Sequence, residues 1–354
     1  MTAASDNGGI GDPRELLRDA GPERRLDYLV GRASMAPSPF NSQPWRFRSR
    51  DGAIVDLQWD SQRKLAATDP EGRLLTIALG AALENFLLAA RDLGLDPAVE
   101  CLPEGATGTT LVRLHMGEPG PLPEPDPRVQ LQVERSTGTG NMRGPVEPQI
   151  STALEALDLD PVAALSIPEE LREALAQTAG DVASDRWGQR AVRSELARWL
   201  RTDRRAWEEH RDGLVLSRRR RLPGWLGETV RRLIVRAPRF FDPGKGTVRR
   251  IRQAPGLLAL HTETDDTDAW LATGRAYQRL GLQLAHVGLD LAPESVLIAT
   301  PEARQRTAEL LGVDHPQFVV RVGRTPPNEA TPRRRLHRVL NPAAPTFPLY
   351  PRAD

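Results

Sequence analysis

Residues 36–47 read Ala-Pro-Ser-Pro-Phe-Asn-Ser-Gln-Pro-Trp-Arg-Phe, and this stretch carries the most specific pattern in the chain. Its first two prolines end the preceding helix and stiffen the loop that follows it. Ser38, Asn41 and Gln43 then present short hydrogen-bonding side chains at close spacing, and Pro44 favours an extended exit into Trp45. A rigid loop of this kind suits a flat, polar heteroaromatic ligand. The alternative is an ordinary helix-to-strand connection that places Trp45 in the core.

The segments on both sides of this loop predict alternating helices and strands. A helix is expected from about Glu15 to Met35, and the Asp51-Gly52 pair favours a hairpin over 47–59. Further helices are predicted at 74–93, 151–157, 168–179, 184–211 and 270–289, and further strands at 99–102, 109–116, 257–261 and 318–323.

Two of these predicted helices resemble each other. Residues 79–96 and 274–290 each form a helix of small residues that is closed by Gly-Leu-Asp and followed by strands. Small residues along one stripe let another backbone approach closely. We interpret the two segments as the central helices of two related half-units. Chance similarity between alanine-rich helices is the alternative.

Composition and charge exclude several classes of protein. The 354-residue chain has 48 Lys or Arg and 47 Asp or Glu, which gives a net charge of +1 and no sign of a nucleic-acid or membrane-surface binder. Cys101 is the only cysteine, so neither an internal disulfide nor a Cys-rich metal site can form. Residues 1–16 lack the apolar segment of a signal peptide, and the longest apolar run, 74–83, is too short to span a bilayer. We therefore expect a soluble, cytoplasmic protein.

The sequence lacks other familiar catalytic patterns. Ser38, Asp56 and His115 could be drawn as a hydrolase triad, but there is no Gly-x-Ser-x-Gly turn. No Gly-x-Gly-x-x-Gly opens a helix after a strand, which argues against a dedicated dinucleotide-binding domain. No metal site is expected, because no helical pairing relates the histidines at 210, 261, 286, 315 and 337.

Residues 36–45 resemble the Ala-Pro-Ser-x-x-Asn-x-Gln-Pro-Trp segment of the nitroreductase family, which contacts FMN across a dimer interface. Similarity to the Acg-type branch of this family extends through residues 80–90, 185–200, 211–214, 274–289, 319–324 and 331–334. The resemblance implies an α+β fold, an α/β sandwich with two pseudo-symmetric halves in one chain. Each half would have a mainly antiparallel sheet flanked by helices, and a helical insertion would cover the flavin as a lid.

This resemblance divides the chain into five parts. The expected parts are a flexible tail at 1–13, the first half at 14–130, a connector and helical lid insertion at 131–255, the remainder of the second half at 256–340, and a Pro-rich tail at 341–354.

The resemblance also implies cofactor-binding residues. The matching positions are Ser38, Asn41 and Gln43 in the loop, Pro293, Glu294 and Ser295 after the second central helix, and Arg333, Arg334 and Arg335 near the C-terminus. The family's turn after that helix reads Pro-x-Glu-Gly, so the match at 293–295 is partial. The three arginines resemble those that hold the FMN phosphate, a group that a planar guanidinium binds well.

One phosphate-binding motif of the Acg-type branch, Arg-Arg-Thr-x-Arg, is altered here. Arg135 and Ser136 align with it, while its last arginine is replaced by Gly138 or shifted to Arg143. Either the phosphate is held differently or FMN affinity is reduced. A backbone nest at 137–140 is another way to bind the anion.

Arginines are concentrated in the middle of the chain, at 218–221, 231–232, 236, 239 and 249–250. A nucleic-acid patch and a membrane-surface helix are two interpretations of this segment. We favour a lid whose apolar face covers the flavin and whose arginines face water. The same segment could recognise an acidic substrate.

The resemblance therefore predicts an FMN-dependent oxidoreductase that moves hydride between flavin N5 and a small organic substrate, with NAD(P)H as a possible electron donor. The reaction would be nitro or quinone reduction, or dehydrogenation of a natural-product-like substrate. No catalytic side chain is nominated, because the cofactor carries the redox chemistry. The alternatives are an FMN-sequestering protein and a flavin-free interaction protein that uses its Arg-rich middle. We expect a small-molecule partner, no nucleic acid, no stable membrane insertion, and a pseudo-dimeric monomer or a homodimer.

Overall fold

The computed structural model describes residues 12–50, 52–134, 141–202, 204–215, 224–237, 243–326 and 331–341. Within these ranges the chain forms two four-stranded antiparallel sheets and one short parallel pair of strands, with helices packed on the sheets. The predicted α+β class is confirmed. The expected tails, apart from residues 12, 13 and 341, lie outside the described residues.

The first sheet has the strand order β1-β2-β4-β3, and all its neighbouring strands are antiparallel. Its first two strands form the predicted hairpin, with Trp45 paired to Trp59. Buried leucines and alanines of the second and third helices pack on this sheet. The elements are α1 (Pro13–Arg18), α2 (Pro22–Ala33), β1 (Trp45–Arg50), β2 (Ile54–Trp59), α3 (Arg73–Asp92), β3 (Ala98–Cys101), β4 (Thr110–His115) and α4 (Pro127–Glu134).

The second half of the chain contributes the remaining elements. They are α5 (Glu147–Glu155), β5 (Ala163–Ser166), α6 (Glu169–Gly188), α7 (Arg190–Trp199), β6 (Leu200–Arg201), α8 (Arg204–His210), β7 (Leu214–Val215), α9 (Gly224–Arg236), α10 (Pro243–Arg252), β8 (Gly256–Thr262), α11 (Thr267–His286), β9 (Asp290–Pro293), α12 (Pro301–Leu311) and β10 (His315–Gly323). Here the large sheet has the order β5-β8-β10-β9, which repeats the connectivity of the first sheet. The internal repeat inferred from the two central helices therefore extends to the strands.

The insertion lies between β5 and β8, at the place that the tight β1–β2 turn occupies in the first half. Alternate side chains of β8 face opposite layers. Leu258 and Leu260 pack in the cluster around α11, whereas Leu257 and Ala259 pack in a cluster with α6 and the end of α10. The first and last helices of the insertion thus cover the outer face of the second sheet. In addition, α5 and β5, which fall in the expected connector, contribute to the second core.

Helices α3 and α11 pack against each other at the centre of the molecule. By length and composition α3 could cross a bilayer, but the apolar window that meets this test is wholly buried inside the protein. Its apolar character follows from its position as the core helix between the two sheets. Each central helix is followed by a glycine in the left-handed conformation, Gly94 at φ 73° and Gly288 at φ 76°, as at many helix ends.

Two predicted helices were too long. The single helix expected from Glu15 to Met35 is wrong: Gly21 is extended (φ −60°, ψ 158°), and Pro22 starts a new helix at the position where its missing N–H costs least. The helix expected over 184–211 is also wrong, because the chain is extended at Gln189 and at Leu200. Of the Arg-rich middle, residues 218–223 and 238–242 lie outside the described residues, and α9 lies between them.

The segment near the C-terminus returns to the first half. The amide of Phe47 donates to the carbonyl of Val339 (2.7 Å), and the amide of Asn341 donates to the carbonyl of Phe47 (2.8 Å). This pairing adds the segment to the edge of the first sheet. It also brings residues 331–335 beside the loop at 36–44.

Candidate functional site

A cavity of about 560 Å³ lies between the two halves, within the range of small-molecule and cofactor sites. The first half lines it with Met35, residues 37–41 and part of α3, and the second half with Tyr277, Phe318 and four residues after α11, namely Pro293, Ser295, Val296 and Ala299. The insertion contributes Arg186 and 213–215, and the C-terminal segment contributes Thr331 and Arg333. None of the described residues that line this cavity is an Asp or Glu.

The loop of residues 36–44 has an unusual backbone. Phe40, Asn41 and Gln43 all have φ near 50°, the left-handed region that side chains rarely adopt. Asparagine tolerates this region better than most residues, but for Phe40 and Gln43 the conformation costs about 1–3 kcal/mol each and persists only where the surrounding structure imposes it. The Ser38 hydroxyl helps to hold the loop by accepting a hydrogen bond from the amide of Gln43 (2.9 Å). The structure thus fixes this loop in a shape that its residues would not adopt alone.

The opposite part of the cavity is apolar and aromatic. Tyr277 and Phe318 meet edge to face, with ring centroids 4.9 Å apart. Ala78 and Ala81 of α3 also line the cavity, and their short side chains leave room beside the helix. Together these residues give the cavity an apolar and aromatic wall.

Arg333 is the charged residue that the C-terminal segment contributes to the cavity lining. Its guanidinium donates to the side-chain oxygen of Asn41 (3.3 Å) and to the carbonyls of Met35 (2.9 Å) and Ala36 (3.3 Å). It also bonds the carbonyls of Thr331 and Pro332, while its Nε is buried without a hydrogen bond. No carboxylate of the described residues pairs with it, and burial lowers its pKa to about 10. The site therefore contains a desolvated positive charge without a counter-charge.

Three predicted site residues lie away from the cavity wall and bind other parts of the protein. The side chain of Gln43 donates to the carbonyl of Arg211 (2.9 Å) and accepts from the amide of Arg334 (2.7 Å). Arg334 donates to the carbonyls of Gln43 and Trp45, and burial lowers its pKa to about 9. Glu294 is paired with Arg321 at 2.6 Å. All three side chains tie segments of the protein together.

The other predicted residues divide into three groups. Ser38, Asn41, Pro293, Ser295 and Arg333 line the cavity. Arg335 is exposed and does not line it. Arg135 and Ser136, with the candidate nest at 137–140, lie outside the described residues, although Val133 just before them lines the cavity.

Arg143, the other candidate for the missing arginine of the phosphate motif, is placed elsewhere. It is exposed, and its backbone pairs with that of Arg324 through two hydrogen bonds of 2.9 Å. It is not among the residues that line the cavity.

The insertion contributes residues 213–215 to the lining of the cavity. Next to them, the carboxylate of Asp212 is buried between Arg63 (2.8 Å) of the first half and Arg201 (2.6 Å) of the insertion. The amide of Gly213 donates to the carbonyl of Asn41 (3.4 Å). Asp212 thus joins the insertion to the first half beside the cavity.

Arg186 reaches the cavity from α6. Its guanidinium donates to the carbonyls of Thr68 (2.9 Å), Ala67 (3.1 Å) and Ala299 (3.4 Å). Burial lowers its pKa. With Arg333 it is one of the two charged residues among the described residues of the cavity lining.

Sequence reasoning gave no role to Arg186, Tyr277, Phe318 or Asp212. The segments that contain Arg186 and Asp212 resemble the Acg-type branch, and this was the available signal. Their spatial roles depend on how the insertion folds back, which no local pattern reports. Within the described residues, no group of three or more His, Cys, Asp or Glu side chains is placed to hold a metal ion.

Comparison with known proteins gives relatives along nearly the whole chain. No model of a protein family matches the sequence. The chain is 28% identical over 368 residues to a Mycobacterium tuberculosis H37Rv protein with the provisional name NAD(P)H nitroreductase Rv3131, covering 96% of this chain and 97% of the relative. It is 27% identical over 330 residues to a second H37Rv protein, provisionally named NAD(P)H nitroreductase acg, covering 89% and 95%. A solved structure, the FMN-dependent nitroreductase NfnB of Mycobacterium smegmatis in complex with NADPH, aligns with a TM-score of 0.35 at 14% identity, covering 55% and 86%.

Proposed function

We propose that the chain is an FMN-dependent oxidoreductase of the nitroreductase superfamily that acts on a small organic molecule in the cavity between its halves. One observation supports this most strongly. Among the described residues, the lining of the cavity has no Asp or Glu, and the partly buried guanidinium of Arg333 has no carboxylate partner.

Arg333 is the residue best suited to hold the phosphate of FMN. A buried charge is costly unless it is paired, and the oxygens that now surround Arg333 are neutral. Its buried Nε has no acceptor. A phosphate would supply both the missing charge and the missing acceptor, and guanidinium groups bind it through parallel hydrogen bonds. Arg135 and Ser136 remain predicted partners of the same phosphate.

The other walls of the cavity would position the ring system. The strained loop contributes Ser38 and Phe40 to the lining, and Tyr277 and Phe318 contribute aromatic side chains. Pro293 and Ser295 complete the wall from the second half. Residues 213–215 would exclude water from the bound ring. The insertion would therefore control access to the site.

FMN supplies the redox chemistry when it is bound, by accepting and donating hydride at N5. The lining residues supply little acid–base chemistry of their own, since no His, Asp, Glu, Cys or Lys is among the described ones. Their contribution is binding, orientation and exclusion of water. We propose NAD(P)H as electron donor, and nitro, quinone or dehydrogenation chemistry as the reaction class.

The proposal is tested by FMN affinity. Flavin fluorescence quenching would be measured for the wild type, for Arg333→Gln and for the neighbouring exposed control Arg335→Gln. Loss of a charged hydrogen bond predicts at least about tenfold weaker FMN binding for Arg333→Gln and little change for Arg335→Gln. Equal affinities in all three proteins, or no FMN binding by the wild type, would contradict it.

A further inference from the structure

The described lining of the cavity carries a second positive charge besides that of Arg333. Arg333 lies at the C-terminal segment, whereas Arg186 enters from the insertion, beside residues 67–68 and Ala299. The two guanidiniums are therefore held by different walls of the same cavity. If Arg333 takes the phosphate, as proposed above, Arg186 is available to a second anionic group.

The guanidinium of Arg186 has N–H donors that are not used in hydrogen bonds to the described residues. Three hydrogen bonds to carbonyl oxygens fix its direction. A guanidinium has five N–H groups, so two have no partner among the described residues. No salt bridge to Arg186 exists within the described part of the chain, although burial lowers its pKa. The residue is thus anchored, charged and incompletely bonded at the cavity surface.

The two carboxylates whose charges act on Arg186, those of Glu195 and Asp69, are already engaged. Glu195 accepts hydrogen bonds from the amides of Ala67 (3.1 Å) and Thr68 (2.8 Å). Asp69 accepts from the amides of Leu74 (3.1 Å) and Leu75 (2.9 Å) at the start of α3. Both acids therefore stabilise the backbone, and they leave the Arg186 guanidinium without a direct ionic partner.

We propose that Arg186 is a specificity-determining residue that binds a carboxylate of the substrate, so that the enzyme prefers small, flat organic acids. The apolar wall that contains Tyr277 and Phe318 accepts the planar part of such a molecule, and Arg186 pairs with its carboxylate. This inference rests on the proposed function for the identity of the reaction. The preference for a carboxylate can nevertheless be measured independently of FMN binding.

Calorimetric titration with benzoate and with benzamide tests the proposal. These probes have nearly the same size and shape, and only benzoate is charged. The FMN-loaded protein would be titrated without electron donor as wild type, Arg186→Gln, Arg186→Lys and the exposed control Arg190→Gln. We expect the wild type to bind benzoate about tenfold more tightly than benzamide. Arg186→Gln should lose this preference, Arg186→Lys should keep part of it, and Arg190→Gln should retain it.

Two results of the benzoate and benzamide titrations would overturn the proposal. One is equal binding of benzoate and benzamide by the wild type. The other is an equal loss of affinity for both probes in Arg186→Gln, which would mean that the residue only supports the structure of the cavity. Titrations with NADPH and NADH test a different role of Arg186, namely binding of the extra phosphate of NADPH. If Arg186→Gln weakened binding of NADPH alone, the residue would be assigned to that phosphate and the proposal would be overturned. Absence of a flavin absorption band would refute the proposed function separately, and the same titrations of the flavin-free protein would then test the role of Arg186.

Discussion

Gly80 and Gly274 meet where α3 and α11 cross, and neither position has room for a Cβ. A Cβ on Gly80 would lie 2.1 Å from the carbonyl oxygen of Leu271, and one on Gly274 would lie 2.0 Å from that of Ile77. The sequence separation between Gly80 and Gly274 equals that between Ile77 and Leu271, whose carbonyls face the two glycines. The contact is therefore a pseudo-twofold one, made by equivalent positions of the two halves.

Gly80→Ala should consequently destabilise the protein. Overpacking at a close backbone contact costs about 1–3 kcal/mol, and here the neighbours are backbone atoms that cannot rotate away. Gly31→Ala is the matched control, because that helical position is exposed and nothing lies within 4 Å of the added Cβ; it should stabilise by about 0.5–1 kcal/mol. The free energy of unfolding in urea measures both, and equal values for the two variants would refute the close contact.

FMN affinity should depend on pH through Arg333. Burial lowers the pKa of Arg333 to about 10 in the flavin-free protein. Phosphate binding favours the protonated guanidinium, so affinity should be full below that pKa. It should fall as the pH rises through about 10, by up to about tenfold per pH unit.

Riboflavin is the control for this pH dependence, because it shares the ring of FMN but lacks the phosphate. Fluorescence titrations from pH 7 to 11 should show the additional loss for FMN alone. Parallel curves for FMN and riboflavin would mean that Arg333 does not bind the phosphate.

Asp212→Asn should loosen the closure of the site. The buried carboxylate joins Arg63 to Arg201, and removing its charge weakens two charge-assisted hydrogen bonds at a cost of about 2 kcal/mol. We expect FMN to dissociate about tenfold faster, measured by fluorescence recovery after dilution. The exposed Asp181 on α6 provides the control Asp181→Asn. Unchanged release in Asp212→Asn would show that this ion pair does not hold the insertion closed.

Gln43→Leu should act on stability more than on the cofactor. The buried amide bonds the carbonyl of Arg211 and the amide of Arg334, and leaving these groups unsatisfied costs about 1–3 kcal/mol. Thermal unfolding should therefore shift clearly. FMN affinity measured far below the melting temperature should change less than twofold. A large loss of FMN affinity without a lower melting temperature would indicate that Gln43 contacts the flavin directly.

Much of the architecture followed from local patterns. The hairpin at Asp51-Gly52 and the two small-residue helices were predictable, because turn chemistry and apolar periodicity are written in neighbouring residues. The break before Pro22 was missed, because the helix signal on both sides outweighed the proline. The insertion helices were merged for a similar reason: Gln189 and Leu200 are extended, yet neither is a residue that ends helices by itself.

The site was less predictable than the fold. Sequence similarity identified Ser38, Asn41 and Arg333, which line the cavity, because the segments that contain them are distinctive. It could not separate them from Gln43 and Arg334, whose side chains turn inward to bind the backbone. Arg186 was missed because its role depends on the return of α6 to residues 67–68, which is a contact between distant parts of the chain.

The most direct test of the central claim is the visible absorption spectrum of the purified protein, incubated with FMN, desalted and then mixed with NAD(P)H under nitrogen. The account predicts a flavin band that stays with the protein and bleaches when NAD(P)H is added. A bound band that persists would indicate sequestration of FMN without turnover. Absence of any flavin band after incubation would contradict the assignment of the cavity to FMN.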